Sequence, residues 1–338
     1  MFQIGIIGCG KQAPKHINAI KKIPGCKIVV ADVSPEAAYN IAREHDVLAS
    51  NDIEGLSHDK RIDIIDICTP TPTHFHYARQ ALLAGKHVFC EKPLTTEITE
   101  AEELVRLNRE LGRVSMAAFV YKYHPRFVRI KEALDLGAIG TVRAIYMRLG
   151  GKGSHRAWKH QSDTGGGVVN EMMVHMLDLL LWYLGDLHIL EAVNLDNLIK
   201  ERQIDGQEVQ SCAEDFAIVV GKSKSGTKVI LQSDMISPNY TNNIEIIGSD
   251  GYIMASMLDA QPSYIHCNRE RPPFVKGMNI LANEKVDLFE LIFRDFFKNI
   301  QGQQSSRKNT FEESLKLAYL INTIKNNNGV KLQNVCSN

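Results

Sequence analysis

The sequence lacks paired cysteine motifs, long hydrophobic runs and an excess of charge of either sign. Its seven cysteines are an odd number and none forms a C-x-x-C pair, which indicates reduced thiols in a cytosolic protein. The chain has 39 basic and 39 acidic residues, so it has no overall attraction to nucleic acid or to an anionic membrane surface. The longest apolar run, residues 172–184, is too short to cross a bilayer and contains His175 and Asp178. No signal-like leader precedes the first strand-like run, and we expect a cytoplasmic protein that binds neither nucleic acid nor membranes.

The length of 338 residues exceeds what a single hydrophobic core usually supports and predicts two domains. No internal repeat or low-complexity segment is present. The composition changes at residues 121–125, which read Tyr-Lys-Tyr-His-Pro. We therefore predict a first domain of residues 1–121 and a second domain of residues 122–338.

A short apolar run at residues 2–7 leads directly into a G-x-G-x-x-A motif that contains Gly8 and Gly10. The first glycine permits a tight turn, the second lets a pyrophosphate approach the backbone, and the small Ala13 lets the following helix pack closely on the strand. A second strand-like run ends at Asp32, where a carboxylate can accept hydrogen bonds from both ribose hydroxyls and repels a 2′-phosphate. This order of elements predicts an α/β dinucleotide-binding domain of the Rossmann type that prefers NAD to NADP. Two further cofactor-binding candidates lie in the same turn, Lys11 and Gln12.

Two later loops follow strand-like runs and therefore reach the carboxyl edge of a parallel sheet, where such sheets bind ligands. The first loop, residues 69–74, contains two prolines that fix an irregular backbone. The second contains Glu91-Lys92-Pro93 and places a lysine where its charge can face a substrate. The cofactor-binding candidates in these two loops are Thr69, Pro70, His74, Glu91 and Lys92.

Residues 165–178 combine three glycines, which allow a sharp bend and a close backbone approach, with a long apolar run. If the run is an α-helix, Glu171, His175 and Asp178 project from one face. Burial of three ionisable groups is costly unless they are paired or used in chemistry. We therefore expect a functional site on this helix.

Segments with a strand pattern follow residue 137 and are separated by tight turns. They predict a second domain of the α+β class with a large, mostly antiparallel, open sheet. Residues 150–164 form a glycine-rich basic stretch, and a long irregular loop in a compact domain is usually functional or disordered. Its side chains predict contacts with a polyhydroxylated and sometimes phosphorylated ligand; the alternative is a solvated loop without function. The set consists of Lys152, Arg156, Trp158 and Lys159, with Arg148 and Lys122.

Taken together, these motifs resemble those of the Gfo/Idh/MocA oxidoreductases, the family named for glucose–fructose oxidoreductase and inositol dehydrogenase. The resemblance covers nearly the whole chain and rests on the glycine motif at Gly8, on residues 85–94 and on residues 165–178. The glycine motif is shared with many dehydrogenases, whereas the other two motifs at this separation are specific. Residues 12–17 and the region around Trp158 also resemble members that oxidise carbon 3 of UDP-linked sugars.

The resemblance implies a Rossmann domain that binds NAD(P), and a second domain whose open sheet covers the nicotinamide and often forms an oligomer. We therefore expect a homodimer or homotetramer formed through this sheet. The resemblance also implies that Lys92 and His175 are the catalytic pair. A neutral imidazole, with an ordinary pKa of about 6.5, can take the hydroxyl proton as the hydride leaves, and a protonated lysine can stabilise the negative oxygen. Family members usually carry Asp where this chain has Glu171, whose side chain is longer by one methylene.

The predicted activity is hydride transfer between nicotinamide and a secondary alcohol of a sugar, a nucleotide sugar or a cyclic polyol. The predicted catalytic residues are Lys92, Glu171 and His175. The predicted substrate contacts are Lys92, Tyr121, Arg148, Arg156, Trp158, Glu171 and His175. Two other functions are compatible with the same motifs, an NAD-dependent glycosidase that oxidises its substrate transiently and a non-catalytic NAD-binding regulator. A metal site of Glu171, His175 and either His155 or His160 is not predicted, because catalytic zinc usually has three protein ligands and nothing fixes the third.

Overall fold

The computed structural model describes residues 2–154, 156–204, 206–258, 260–282, 284–303 and 308–329. The chain divides into two compact units. The first contains Met1–Tyr123 and Val286–Ala318, and the second contains His124–Lys285 and Tyr319–Asn338. The predicted second domain, one continuous segment from residue 122, differs from this division because the chain returns to the first unit after Lys285.

The first unit is built on a six-stranded sheet in which every neighbouring pair of strands is parallel. The order across the sheet is β3-β2-β1-β4-β5-β6. The direction of the strand order reverses between β1 and β4, and open α/β sheets bind ligands at the carboxyl ends of the strands beside such a reversal. The predicted Rossmann domain is confirmed. The strands are β1 (Phe2–Ile7), β2 (Cys26–Ala31), β3 (Leu48–Ala49), β4 (Ile64–Ile67), β5 (His87–Cys90) and β6 (Ser115–Ala117).

Four helices connect these strands and pack on the two faces of the sheet. Two of them have proline at the first or second helical position, where the missing N–H costs little. Short 3₁₀ turns occur at Gly55–His58, Thr71–Thr73 and Val120–Tyr123. The helices are α1 (Ala13–Lys21), α2 (Pro35–His45), α3 (His74–Leu83) and α4 (Ile98–Glu110).

Aromatic side chains near the end of the chain explain why it returns to the first unit. The final two helices are α7 (Leu288–Ile300) and α8 (Phe311–Asn326). Phe293 and Phe296 of α7 are buried in the apolar cluster between α1 and one face of the sheet. Phe311, at the start of α8, is buried in the cluster on the opposite face. Aromatic residues from helices α7 and α8 therefore complete both apolar cores of the first unit.

The second unit contains an eight-stranded sheet of order β16-β15-β14-β13-β7-β12-β11-β8. Among the strands that the structure describes, only the pair β7 and β12 is parallel, so the predicted large and mostly antiparallel sheet is confirmed. Buried and half-exposed residues alternate along β11 and β12, which means that one face is covered and the other is open. The strands of this sheet are β7 (Val142–Gly150), β8 (Ile189–Asp196), β11 (Phe216–Lys222), β12 (Lys228–Asp234), β13 (Thr241–Gly248), β14 (Gly251–Ala255), β15 (Tyr264–Cys267) and β16 (Gly277–Ile280).

The described part of the second unit also contains two complete α-helices, short 3₁₀ and π-helical turns and one hairpin. Helix α5 covers Pro125–Asp135, and helix α6, Val174–Leu184, contacts both α5 and β7. The hairpin pairs β9 (Glu201–Ile204) with β10 (Gln207–Gln210). Of the helices that lie in the described residues, none is both long enough and apolar enough to span a bilayer.

Candidate active site

Gly8 makes the turn between β1 and α1. Its φ is +97°, and a Cβ at this position would lie 2.8 Å from the carbonyl carbon of Cys68, so a larger residue would be strained and would displace the end of β4. In contrast, nothing lies within 4 Å of the place that a Cβ would take on Gly10, which leaves that backbone open to a ligand. The two glycines therefore fit a pyrophosphate at the beginning of α1.

Asp32 follows β2 and is oriented by two backbone N–H groups. Its Oδ2 accepts a hydrogen bond from Cys9 at 2.7 Å, and its Oδ1 accepts one from Ser34 at 2.9 Å. Each carboxylate oxygen can accept a second hydrogen bond, so the fixed carboxylate can still accept from ribose hydroxyls. Lys11 is exposed and Gln12 is half-buried in the neighbouring turn. These residues fit the adenosine and pyrophosphate part of NAD.

His74 joins the two loops at the carboxyl edge of the sheet. Its side chain is buried, with Nδ1 2.8 Å from the carbonyl oxygen of Pro93 and Nε2 2.9 Å from that of Thr69. Burial lowers the pKa of His74, although both carbonyl contacts favour the charged ring. Since its two nitrogens face backbone carbonyls, His74 is suited to hold the loops together, while the half-buried Thr69 and the exposed Pro70 are the more accessible residues.

His16, which is not among the predicted site residues, lies against the Glu91-Lys92-Pro93 motif. Its ring is fully buried, with Nε2 3.0 Å from Glu91 Oε1 and Nδ1 3.0 Å from Asp66 Oδ2. The other oxygen of Glu91, Oε2, accepts the backbone N–H of Lys92 at 3.2 Å. A sequence signal for His16 exists, because the helical spacing of Ala13 and Ile20 places it on the buried face of α1.

In the second unit, the three glycines lead into an irregular helix start. Gly167 has a φ of +103°, and a Cβ there would lie 2.4 Å from Oε1 of Glu214. Val169–Met173 then form a π-helical turn before α6 begins. A π-helical turn, in which hydrogen bonds span five residues instead of four, replaces the regular α-helix predicted at Glu171. His175 and Asp178 lie three residues apart within α6, and the face that they would share with Glu171 stays a prediction.

Glu171 forms an ion pair with Lys159. Nζ of the lysine lies 2.5 Å from Oε2 of the glutamate, and the two side chains are 25% and 9% exposed. The same ammonium lies 5.1 Å from the centre of the Trp158 ring, a cation–π distance. His175 is half-buried and Asp178 is buried on the helix that follows. The π-helical turn thus brings an acidic, a basic and an aromatic side chain together, four residues before His175.

Within the described residues, His160 does not complete a metal site with Glu171. His160 is 1% exposed, its Nε2 lies 2.9 Å from the carbonyl oxygen of Ser154, and burial lowers its pKa. His155 lies outside the described residues. Within those ranges, three ligand-type side chains converge at a different place, formed by His16, Asp66 and Cys68.

The other predicted substrate contacts differ in accessibility. Arg148 is 43% exposed and has Nη2 3.5 Å from Oδ2 of Asp234, while Arg156 is exposed and Tyr121 is half-buried. Lys122 is only 2% exposed, with Nζ 3.0 Å from Oε2 of Glu313 in the same unit. The expectation that Lys122 contacts substrate is wrong, since its charge is buried in an ion pair.

Comparison with known families identifies both halves of the chain. A model described as an oxidoreductase family with an NAD-binding Rossmann fold matches residues 2–119. With the glycine turn and Asp32, this match defines an NAD-binding oxidoreductase. A second model, the GFO/IDH/MocA C-terminal domain, matches residues 127–254. The chain belongs to the GFO/IDH/MocA family.

Individual relatives match most of the chain at low identity. The inositol 2-dehydrogenase of Rhizobium meliloti is 26% identical over 75% of both chains. The dTDP-3,4-didehydro-2,6-dideoxy-alpha-D-glucose 3-reductase of Actinomadura kijaniata is 26% identical over 96% of this chain and 95% of that protein. The chain spans 53% and 61% of the length of two further curated relatives, which are 30% identical to it. A solved levoglucosan dehydrogenase, in complex with NADH and L-sorbose, shares the fold with a TM-score of 0.87, 21% identity and coverage of 97% and 96% of the two chains.

Proposed function

We propose that this protein is an NAD-dependent oxidoreductase that moves a hydride between nicotinamide and a secondary alcohol of a sugar, a nucleotide sugar or a cyclic polyol. The proposal rests chiefly on one observation, the partly buried pair of Lys159 and Glu171 at the π-helical turn that leads to His175. π-Helical turns are frequent at functional sites, and a buried ion pair is weak evidence for stability alone. The relatives named for inositol and for a dTDP-linked sugar support a polyhydroxylated substrate.

Bound NAD supplies the hydride acceptor for oxidation, and side chains of this protein supply the proton chemistry. His175 in its neutral form accepts the proton of the substrate hydroxyl as general base. Lys92 in its ammonium form stabilises the negative charge that develops on the same oxygen. Glu171, held by Lys159, orients His175 or accepts a hydrogen bond from a neighbouring substrate hydroxyl.

We assign the remaining substrate contacts by accessibility and chemistry. Trp158 offers an aromatic face on which a sugar ring can pack, and its neighbour Lys159 already fixes the ring through a cation–π contact. The guanidinium groups of Arg148 and Arg156 can donate to hydroxyl or phosphate oxygens. Tyr121 is the fourth contact. Arg148 and Arg156 would favour a substrate that carries phosphate, such as a nucleotide-linked sugar.

The test is to supply NAD to the purified protein with a panel of polyols, free sugars and nucleotide sugars, and to follow nicotinamide absorbance. Net formation of NADH with one class of substrate is the expected result and identifies that class. Cleavage of an aryl glycoside without net NADH would replace the proposal with a glycosidase that oxidises transiently. Tight NAD binding without turnover of any substrate would replace it with a regulatory NAD-binding protein.

We also propose that the protein forms a homodimer or homotetramer through the open face of the eight-stranded sheet. Tyr146 on β7 is 38% exposed, and Met278 and Ile280 on β16 are 56% and 70% exposed, so this face carries apolar side chains that a partner would cover. Light scattering coupled to size exclusion should give two or four chains for the wild type and fewer for Tyr146→Lys. The control is Tyr39→Lys in α2, which is 51% exposed in the first unit and should leave the mass unchanged. A monomeric wild type would contradict the proposal.

A further inference from the structure

The buried ring of His16 is enclosed by two carboxylates, a thiol and three aromatic rings. Asp66, at the end of β4, reaches Nδ1 with both oxygens at 3.0 and 3.1 Å. Glu91 reaches Nε2 at 3.0 Å, and Cys68 Sγ lies 3.3 Å from Nδ1. The aromatic rings, with centroids 4.8 to 5.6 Å from that of His16, belong to Phe89, Phe289 and Phe293.

This environment favours a charged imidazole. An ionised carboxylate only accepts hydrogen bonds, so a ring between two ionised carboxylates donates from both nitrogens. Burial opposes the charge, but Asp66 and Cys68 raise the pKa of His16 well above its ordinary value. Burial raises the pKa of Asp66 and of the Cys68 thiol, the latter to about 12. For Glu91, the hydrogen bond and charge of His16 outweigh burial and lower its pKa. His16 and Glu91 are therefore an internal ion pair.

Glu91, one member of this ion pair, also contacts Lys92. Oε2 of Glu91 accepts the backbone N–H of Lys92 at 3.2 Å, which fixes the start of the Lys92 side chain. The positive charge of Lys92 also contributes to the lowered pKa of Glu91. Electrostatic interaction is mutual, so the carboxylate of Glu91 stabilises the ammonium form of Lys92 to the same extent.

We propose that His16 and Glu91 are positioning residues that hold Lys92 in place and in its ammonium form. His16 keeps Glu91 charged and immobile, and Glu91 then orients the Lys92 backbone and stabilises its side-chain charge. Because His16 lies in α1, the helix that begins at the glycine turn, the network ties the nucleotide-binding turn to Lys92. This inference rests on the proposed function only in the use that it gives to Lys92.

A metal ion is the competing explanation, since ligand atoms of His16, Asp66 and Cys68 lie within 4.8 Å of one another. The geometry favours the proton network. A metal ligand needs a free lone pair on the imidazole, whereas here each ring nitrogen already faces a carboxylate oxygen at hydrogen-bond distance. A thiol with a raised pKa also stays protonated, and the thiolate is the form that binds metal. Elemental analysis of the purified protein distinguishes the two, and one equivalent of a transition metal would overturn the inference.

The test measures the ionisation of Lys92 directly. The full-length protein is acylated briefly with acetic anhydride at a series of pH values, and labelling of Lys92 is quantified by mass spectrometry relative to the exposed Lys27. Glu91→Gln keeps the size of the side chain and an acceptor for the backbone N–H but removes the charge. It should shift the labelling midpoint of Lys92 down by about one unit, equivalent to about tenfold faster labelling near neutral pH. His16→Gln should shift the midpoint in the same direction.

Two controls keep the result interpretable. Glu91→Asp retains the charge and should retain the wild-type midpoint, and Glu97→Gln removes an exposed acid six residues away and should have no effect. Circular dichroism and NAD binding show whether each variant is folded, and Asp66→Asn is the substitute if Glu91→Gln does not fold. An unchanged Lys92 profile in folded Glu91→Gln and His16→Gln overturns the inference. If Lys92→Ala is fully active although Glu91→Gln shifts the labelling midpoint of Lys92, the proposed catalytic role of Lys92 is wrong, whereas the positioning role of His16 and Glu91 is supported.

Discussion

The ion pair between Lys159 and Glu171 allows stability and catalysis to be separated in one experiment. Glu171→Gln keeps the shape of the side chain but leaves a lysine that is only 25% exposed without its charged partner at 2.5 Å. Removal of one member of a fully buried pair costs about 3–5 kcal/mol, and partial exposure of Lys159 reduces this to about 1–3 kcal/mol. For a unit of this size the loss corresponds to a decrease in Tm of about 2–4 °C per kcal/mol.

The double variant Glu171→Gln with Lys159→Met has no unpaired charge and should recover most of the lost stability. We expect a coupling free energy of about 1–3 kcal/mol in the double-mutant cycle. Activity should not recover, because the proposed function needs the carboxylate near His175. The assay is thermal unfolding of all four proteins beside their kcat and KM for the substrate found by the panel. Lys200→Met, a change at an exposed lysine of the same unit, is the matched control and should alter neither quantity.

Recovery of activity together with stability in the double variant would show that the pair is structural and would refute the catalytic role of Glu171. Glu171→Asp adds a second comparison, because it introduces the residue that family members usually carry. It keeps the charge but shortens the reach to Lys159 by one methylene. We expect a smaller loss of stability than in Glu171→Gln and a measurable kcat.

Three further predictions concern the cofactor, the general base and the substrate loop. Asp32→Ala should improve the use of NADP relative to NAD, because it removes repulsion of the 2′-phosphate. The ratio of kcat/KM for the two cofactors measures this preference. A wild type that already prefers NADP would contradict the prediction. His175→Ala should lower kcat/KM by about 10²–10⁴-fold. In the wild type kcat/KM should fall at acid pH, because a protonated imidazole cannot act as a base, and in His175→Ala this fall should be absent. Lys92→Ala should also lower kcat/KM strongly, and the two losses should not be additive, since both side chains act on one oxygen. Full activity of folded His175→Ala would exclude the mechanism. Arg156→Ala and Trp158→Ala should raise KM for the substrate and leave the Kd for NAD nearly unchanged, as measured by titration; equal losses in both would make the loop a cofactor lid.

The parts of the fold that could be predicted depend on local signals. The turn at Gly8 requires only that a strand, two glycines and a helix follow each other, and Asp32 lies at the end of the next strand. The alternation of apolar residues in β11 and β12 is likewise local. Four strands of the second unit, β9, β10, β15 and β16, were not predicted. Each has only four residues, which is too short for a clear alternating pattern.

The features that could not be predicted depend on contacts between distant residues. The π-helical turn at Val169–Met173 follows a backbone that is already held in place, since Gly167 donates to the carbonyl oxygen of Lys159 at 3.0 Å and Val168 to that of Glu214 at 2.8 Å. Periodicity alone predicts a regular helix there. The return of the chain to the first unit is also a tertiary effect. The amphipathic pattern of α7 predicts that one face is buried, but it does not specify which sheet that face covers.

Lys122 illustrates this limit and gives the last prediction. Lys122 was predicted to contact substrate together with the basic side chains of residues 150–164, but its partner is Glu313, which lies 191 residues later. Glu313→Gln should destabilise the protein by about 1–3 kcal/mol, because a buried ammonium loses its charged partner while the amide still accepts one hydrogen bond. The kcat and KM of the folded fraction should stay at wild-type values, since neither residue touches substrate in the proposed site. Thermal unfolding and steady-state kinetics at a temperature well below the transition measure the two effects. The control is Glu312→Gln at the preceding residue of α8, whose ion pair with the exposed Arg109 should contribute little to stability. A raised KM in a folded Glu313→Gln variant would contradict this prediction and support a contact between Lys122 and the substrate.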